Sequence, residues 1–261
     1  MVGQKQSQID YSALVKALIA PVQHAGRVIM DIYQRDLSTE TKADGSPVTK
    51  ADHAAEAILL AEIATLAPSI QIISEENVVS HNLVASQEFF LVDPLDGTKE
   101  FIKACGDGAF TVNIGLIKNA EPVMGIVFAP ALDRLFFGSL GDGAFEISRG
   151  ICRQIRVRMP PAEGPVAVAS ASHRDAQTNQ WLKKRGVTNS IAIGSSLKFC
   201  LIASGEADLY PRYGPTMEWD TAAGDAVLRA AGGCVMAEDG KPFPYGKAGY
   251  RNQPFFAAGG G

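Results

Sequence analysis

Two carboxylates, a peptide carbonyl and a hydroxyl crowd into the stretch Asp93-Pro94-Leu95-Asp96-Gly97-Thr98-Lys99-Glu100-Phe101. All are oxygen donors, the kind that hold hard divalent cations such as Mg²⁺. The apolar run Phe89-Phe90-Leu91-Val92 ahead of them predicts a buried strand. Pro94 and Gly97 predict a tight turn where that strand ends, aiming both carboxylates one way. Taken singly, the acidic pieces of this chain have ordinary readings. Asp-Pro-x-Asp-Gly is a common surface turn, Glu75-Glu76 a solvated loop, and Asp220 a cap for the apolar helix that follows it. Thr49-Lys50-Ala51-Asp52 matches a capping box. Together, Glu75, Asp93, Asp96 and Asp220 would crowd negative charge into one place, which is unfavourable unless cations neutralise it. Two or more Mg²⁺ ions held by these carboxylates and by the Leu95 carbonyl would resolve the conflict. Such a cluster suits hydrolysis of phosphate esters.

The elements that must position these groups are legible as periodicities. Leu14, Leu18, Val22, Ala25, Ile29 and Ile32 recur at helical spacing over residues 10–35, and a second helix is predicted from Thr49 to Leu66, stopped by Pro68. A polar segment with the turn signal Asp44-Gly45-Ser46-Pro47 separates them. Strands are expected at 70–73, 89–92, 110–118 and 123–129, with a hairpin pair near 134–138 and 143–147. Gly141-Asp142-Gly143 between the last two reads as a hairpin turn, since it lacks the strand–loop–helix setting of a dinucleotide fingerprint. Pro160-Pro161-Ala162-Glu163-Gly164-Pro165 reads as a linker. Beyond it the pattern alternates: strands at 166–170, 190–193, 207–210, 234–237 and 255–258, and helices at 175–185, 195–204 and 221–231. The expectation is an α/β (α+β) chain in two halves: an N-terminal α+β half, 1–159, with most of the acidic groups, and a C-terminal α/β half, 160–261, supplying Asp220.

The 261-residue composition is 46% hydrophobic and 20% charged, with enough apolar material for a real core. A net charge of −4 argues against nucleic-acid binding through a basic surface. Cys105, Cys152, Cys200 and Cys234 show no zinc or Cys-x-x-Cys spacing, which fits a reduced, cytoplasmic protein. No secretory signal or membrane-spanning run is evident, and peripheral contact with the inner face of the membrane stays open.

Glu75-Glu76, Asp93-Pro94-Leu95-Asp96-Gly97-Thr98 and Trp219-Asp220-Thr221-Ala222-Ala223-Gly224 resemble, in order and spacing, the signatures of the inositol monophosphatase superfamily. The resemblance runs from Val48-Thr49-Lys50-Ala51-Asp52 to Ala230-Ala231-Gly232-Gly233. It implies a layered αβαβα sandwich of the inositol monophosphatase/fructose-1,6-bisphosphatase type and a Mg²⁺-dependent, lithium-sensitive phosphatase. Two or three ions are implied, on Glu75, Asp93, Asp96, Asp220 and the Leu95 carbonyl. Catalytic roles fall on Asp52, Thr98 and Glu75, with Thr98 and Asp52 as a hydrogen-bonded pair that orients and deprotonates the attacking water. Gly97 and Thr98 amides are implied to hold phosphate oxygens, and Glu76 is either a third-metal ligand or an outer carboxylate. Glu75, Leu95, Asp96, Gly97, Thr98 and Asp220 thereby also face substrate.

Lys99-Glu100-Phe101 after the Asp-Gly-Thr, and Ser170-Ala171-Ser172-His173-Arg174, are similar to the bisphosphate nucleotidase branch, which converts 3'-phosphoadenosine 5'-phosphate to AMP in nucleotide and sulfur metabolism. Gly194-Ser195-Ser196-Leu197-Lys198 opens a helix and offers a second anion site through Ser196 and Lys198. A mere cap and a solvated lysine stand equally as readings. Arg212 reads as a substrate contact or an exposed turn, His173 as a loop residue, and Trp219 as packing for the Asp220 helix. The competing functions are a phosphatase of inositol, histidinol or sugar phosphates on the same fold, and a non-catalytic metal-dependent phosphate sensor.

Overall fold

The computed structural model describes residues 9–35, 39–41, 47–102, 108–170 and 175–260. The turn at 44–46, Cys105 and residues 171–174 of the serine–histidine motif lie outside them. Helix α1 (Tyr11–Arg35) buries Leu14, Leu18, Val22, Ala25 and Ile29 on one face, as their spacing demands. A short antiparallel ladder, β1 (Thr39–Thr41) with β2 (Pro47–Thr49), occupies ground expected to be loop. It delivers the chain into α2 (Lys50–Leu66), whose start is the expected capping box: Thr49 N donates to Asp52 Oδ2 at 2.8 Å, and Ala51 N to Thr49 Oγ1 at 3.1 Å.

Seven strands then form one sheet in chain order: β3 (Gln71–Ser74), β4 (Glu88–Asp96), β5 (Thr111–Lys118), β6 (Glu121–Ala129), β7 (Arg134–Ser139), β8 (Gly143–Ser148) and β9 (Ile151–Ile155). Only the β3–β4 pairing is parallel. The edge strand β9 is an addition to what the sequence suggested; its pattern is exposed at every position but the last, so no alternation announces it. The single turn α3 (Thr98–Ile102) follows β4. In the second half, β10 (Val166–Ser170), α4 (Ala176–Lys184), β11 (Asn189–Ile193), α5 (Leu197–Ala203), β12 (Leu209–Arg212), α6 (Ala222–Ala230), β13 (Cys234–Ala237) and β14 (Phe255–Ala258) build a five-stranded sheet of order β11-β10-β12-β14-β13. It is parallel at β11-β10-β12 and antiparallel thereafter.

The layers run α1 and α2, the seven-stranded sheet, α5 and α6, the five-stranded sheet, then α4. This is the expected αβαβα sandwich. Both faces of the large sheet are covered, so its strands read as unbroken apolar runs. On β4, Phe90 and Val92 face the α1–α2 layer, while Phe89 and Leu91 face the α5–α6 layer. Helix α6 lies unusually close to the sheet: a Cβ at Gly115 would sit 2.7 Å from Ala222 Cβ, and one at Gly125 would sit 2.3 Å from the Ala223 carbonyl. That approach brings Asp220, just ahead of α6, to the carboxyl end of β4.

Candidate active site

The acidic motif is part of a strand, not a turn beyond it. Strand β4 continues through Asp93-Pro94-Leu95-Asp96, and its ladder with β5 is interrupted only between Asp93 and Asp96. Pro94 has no amide to donate, and the Leu95 amide turns to Asp93 Oδ1 at 3.0 Å, so two ladder positions are lost and pairing resumes at Asp96 opposite Thr111. The reversal comes one residue later, at Gly97, whose φ of 91° suits glycine.

Glu75, immediately after β3, Asp93 and Asp220 each place a carboxylate oxygen within 4.8 Å of the others. Asp93 Oδ2 is buried and has no hydrogen-bond partner among the described residues. Burial, reinforced by Glu75, Asp96 and Asp220, pushes the Asp93 carboxyl well above the usual 3.8. Burial together with Asp96 and Glu75 does the same to Asp220. Asp96 rises to about 6, again mainly by burial, with Lys198 pulling the other way. An all-oxygen donor set that is short of positive charge, with one orphaned carboxylate oxygen, fits a hard divalent cation. The Leu95 carbonyl accepts the Thr98 hydroxyl at 3.2 Å, and the same hydroxyl is 3.5 Å from Asp52 Oδ1. The two readings of Asp52 are compatible: Oδ2 is occupied by the capping box, including Thr49 Oγ1 at 2.6 Å, while Oδ1 faces Thr98.

Glu75, Asp93, Leu95, Asp96, Gly97, Thr98, Lys198 and Asp220 line one open cleft. Ser196 does not. Its hydroxyl is 2.5 Å from Asn113 Oδ1 and 2.9 Å from Thr111 Oγ1, buried between the halves, and its amide donates to Asp96 Oδ2 at 2.6 Å. Ser195 faces the cleft in its place, in the left-handed region with φ of 52°, and Lys198 Nζ donates to its carbonyl. Lys198 is buried rather than solvated, and burial lowers its ammonium to about 8. Arg212 is also buried, its guanidinium held by the Gly214 and Pro215 carbonyls, and it shares the cleft with Ser170, Tyr210 and Thr216. Sequence reasoning missed Tyr210, Thr216 and the polar pair Thr111 and Asn113; two polar residues inside the apolar strand β5 were the available signal. Trp219 is core packing, as expected, with His81 stacked on it.

Comparison with known proteins places this geometry. The chain matches the Inositol monophosphatase family over residues 10–255. It is 45% identical to the 3'(2'),5'-bisphosphate nucleotidase CysQ of Escherichia coli K12, over 85% of this chain and 90% of that protein. It is 39% identical to the protein of the same name from Buchnera aphidicola, over 90% and 89%. Among solved structures, CysQ from Bacteroides thetaiotaomicron superposes with a TM-score of 0.81 at 36% identity, covering 97% of this chain and 99% of that one. The Thermotoga maritima inositol monophosphatase superposes at 0.78 with 24% identity, over 94% and 92%, a likeness of fold.

Proposed function

The chain belongs to the inositol monophosphatase family, and from that premise we propose that it is a Mg²⁺-dependent 3'(2'),5'-bisphosphate nucleotidase, releasing the 3'-phosphate of 3'-phosphoadenosine 5'-phosphate to leave AMP. The observation that carries the choice of substrate is the make-up of the cleft: beside the carboxylate cluster stand two buried cations, Lys198 on α5 and Arg212 at the end of β12. A substrate with one phosphate cleaved and another merely held suits such a cleft. An inositol monophosphate has no second phosphate for this cation pair.

Glu75, Asp93, Asp96, Asp220 and the Leu95 carbonyl would hold two or three Mg²⁺ ions. Bound there, Mg²⁺ supplies the positive charge the carboxylates lack, polarises the phosphoryl oxygens and lowers the pKa of the attacking water. Thr98 accepts a hydrogen bond from that water once its own proton points to Asp52 Oδ1, and Asp52 takes the proton as the water oxygen bonds to phosphorus. The P–O bond to the 3' oxygen breaks, and that oxygen leaves with the sugar and takes a proton from water to become the 3'-hydroxyl of AMP. Asp52 is fixed for this by the capping box, which occupies its other oxygen. The Gly97 and Thr98 amides orient the phosphate, and Lys198 with Arg212 holds the 5'-phosphate. The halves 1–159 and 160–261 act as one catalytic unit in the cytoplasm, and Li⁺ inhibits by replacing one Mg²⁺.

The deciding experiment is phosphate release with Mg²⁺ from 3'-phosphoadenosine 5'-phosphate and inositol 1-phosphate, side by side. A kcat/KM preference of ten-fold or more for the nucleotide is expected; equal or reversed preference overturns the substrate assignment.

A further inference from the structure

His81 lies outside the cleft, on the short 3₁₀ helix Val78–Asn82, yet it touches the residues that precede two acidic groups from different halves of the chain. Its Nε2 is 2.8 Å from the Ser74 carbonyl. A carbonyl only accepts, so Nε2 carries the proton and donates. Ser74 is the residue before Glu75. The imidazole also stacks on Trp219, with centroids 4.6 Å apart and planes 22° from parallel, and Trp219 is the residue before Asp220. One side chain therefore joins the end of β3 to the turn that leads into α6.

The surroundings make this a braced contact. Ser80 Oγ accepts from the Ser74 amide at 3.1 Å and donates to the Asn77 carbonyl at 2.7 Å, so the short helix grips Ser74 through two neighbouring residues. Tyr250 Oη donates to the Leu83 carbonyl at 2.7 Å, its ring lies 6.3 Å from Trp219, and its carbonyl accepts the Glu218 amide at 2.8 Å. Trp219 is thus in contact with both His81 and Tyr250. Meanwhile Glu75 and Asp220 each bring a carboxylate oxygen within 4.8 Å of the other, and two carboxylates at that range repel when both are ionised.

We propose that His81 is a positioning residue of the metal centre: it pins Glu75 and Asp220 at their working separation and so sets the affinity for the divalent ions. The inference rests on the metal-phosphatase reading above. Residues that orient metal ligands from behind change affinity by roughly 10–100-fold when altered, and His81 does so for two ligands at once, through backbone neighbours rather than through the carboxylates.

Two variants separate its contacts. His81→Phe keeps a ring on Trp219 and removes the donor to Ser74; His81→Gln keeps a donor and removes the ring. The probe is Mn²⁺ alone, without substrate, followed by the electron paramagnetic resonance of the free ion. A rise in dissociation constant of about ten-fold in either variant is expected, with activity largely recovered by raising Mg²⁺. A merely structural role would lower Tm and leave the affinity of the folded protein as it was. Unchanged Mn²⁺ affinity in both variants overturns the proposal while the phosphatase reading stands. A wild type that binds no Mn²⁺ overturns both. Should neither variant fold, Trp181→Phe leaves Trp219 as the sole indole beside a native His81. Mg²⁺ should then change Trp219 emission as the site fills, and constant emission overturns the proposal.

Discussion

The amide of Ser196 donates to Asp96 Oδ2 at 2.6 Å across a hundred residues of chain, tying the acidic motif of the first sheet to the start of α5 in the second half. The Ser196 hydroxyl adds Thr111 and Asn113 to the same joint. These two residues stand opposite Asp96 and Asp93 on β5. The polar cluster is buried, so its contribution is to fix where Asp96 sits. Ser196→Ala would leave Asn113 and Thr111 short of a partner and should cost about 1–3 kcal/mol of stability. KM for the bisphosphate should stay within two-fold. Urea unfolding and steady-state kinetics on the same variant check this, and a large KM rise without loss of stability would return the hydroxyl to the substrate.

Lys198 is the clearer anion contact. Lys198→Ala should raise KM for 3'-phosphoadenosine 5'-phosphate by roughly 10–100-fold, the loss expected for a buried charge-assisted hydrogen bond. Adenosine 3'-monophosphate, which lacks the 5'-phosphate, should lose much less. Because Lys198 also lies near Asp96, the comparison of the two substrates cancels any effect on the acidic end. Equal losses would argue that Lys198 serves only Asp96.

Thr98→Ala tests the water-orienting pair. It should lower kcat by about 10²–10⁴-fold with KM little changed. The 3.5 Å separation from Asp52 tightens when substrate arrives if the pair works as proposed. Wild-type kcat in this variant would remove Thr98 from the mechanism.

How much of this was legible beforehand follows the physics of each piece. The β4 motif and the Asp220 turn are legible only in combination: each alone has an ordinary structural reading, but four carboxylates in one place need cations to neutralise them. The α/β character of the two halves follows from helical periods giving way to apolar strands, whereas the αβαβα layering is what the family resemblance implies. Ser196 was misplaced because a helix-opening serine looks the same whether its hydroxyl faces a cleft or a buried asparagine 83 positions away. Lys198 and Arg212 stayed open between anion contact and exposed side chain because nothing local shows which charged side chains the second half will cover. The ladder through Asp93–Asp96 was hidden by Pro94, which reads as a turn unless the partner strand is known to skip it.

Acid stability should report on the joint between β10 and β12. Burial alone would raise the Asp208 carboxyl, but hydrogen bonds from Arg158 Nε at 2.9 Å and from the Val166 amide at 2.7 Å hold it below the usual 3.8. A depressed folded-state value means the unfolded chain binds the proton more readily, so the stabilisation is complete above about pH 5 and is lost as pH falls through the folded value. The stability difference between wild type and Asp208→Asn should therefore be largest at neutral pH and shrink below pH 4. Urea midpoints at pH 7, 5 and 3 measure it, and a difference constant across that range would show that the charge of Asp208 contributes nothing.

Asp93 sets stability against function most directly. Its Oδ2 is buried without a partner among the described residues, and Glu75, Asp96 and Asp220 all face it with like charge. In the metal-free protein, Asp93→Asn removes one of these charges and supplies a donor to its neighbours, so the variant should be more stable than wild type, by about 1–3 kcal/mol. With Mg²⁺ the order should reverse. Wild type gains stability with the logarithm of metal concentration above its dissociation constant, whereas the variant, missing a central ligand, gains little and hydrolyses almost nothing. Thermal melts with EDTA and with increasing Mg²⁺ follow both effects in one experiment. If Asp93→Asn were less stable than wild type in EDTA and equally stabilised by Mg²⁺, the carboxylate would be a structural acceptor and the metal would have to sit elsewhere.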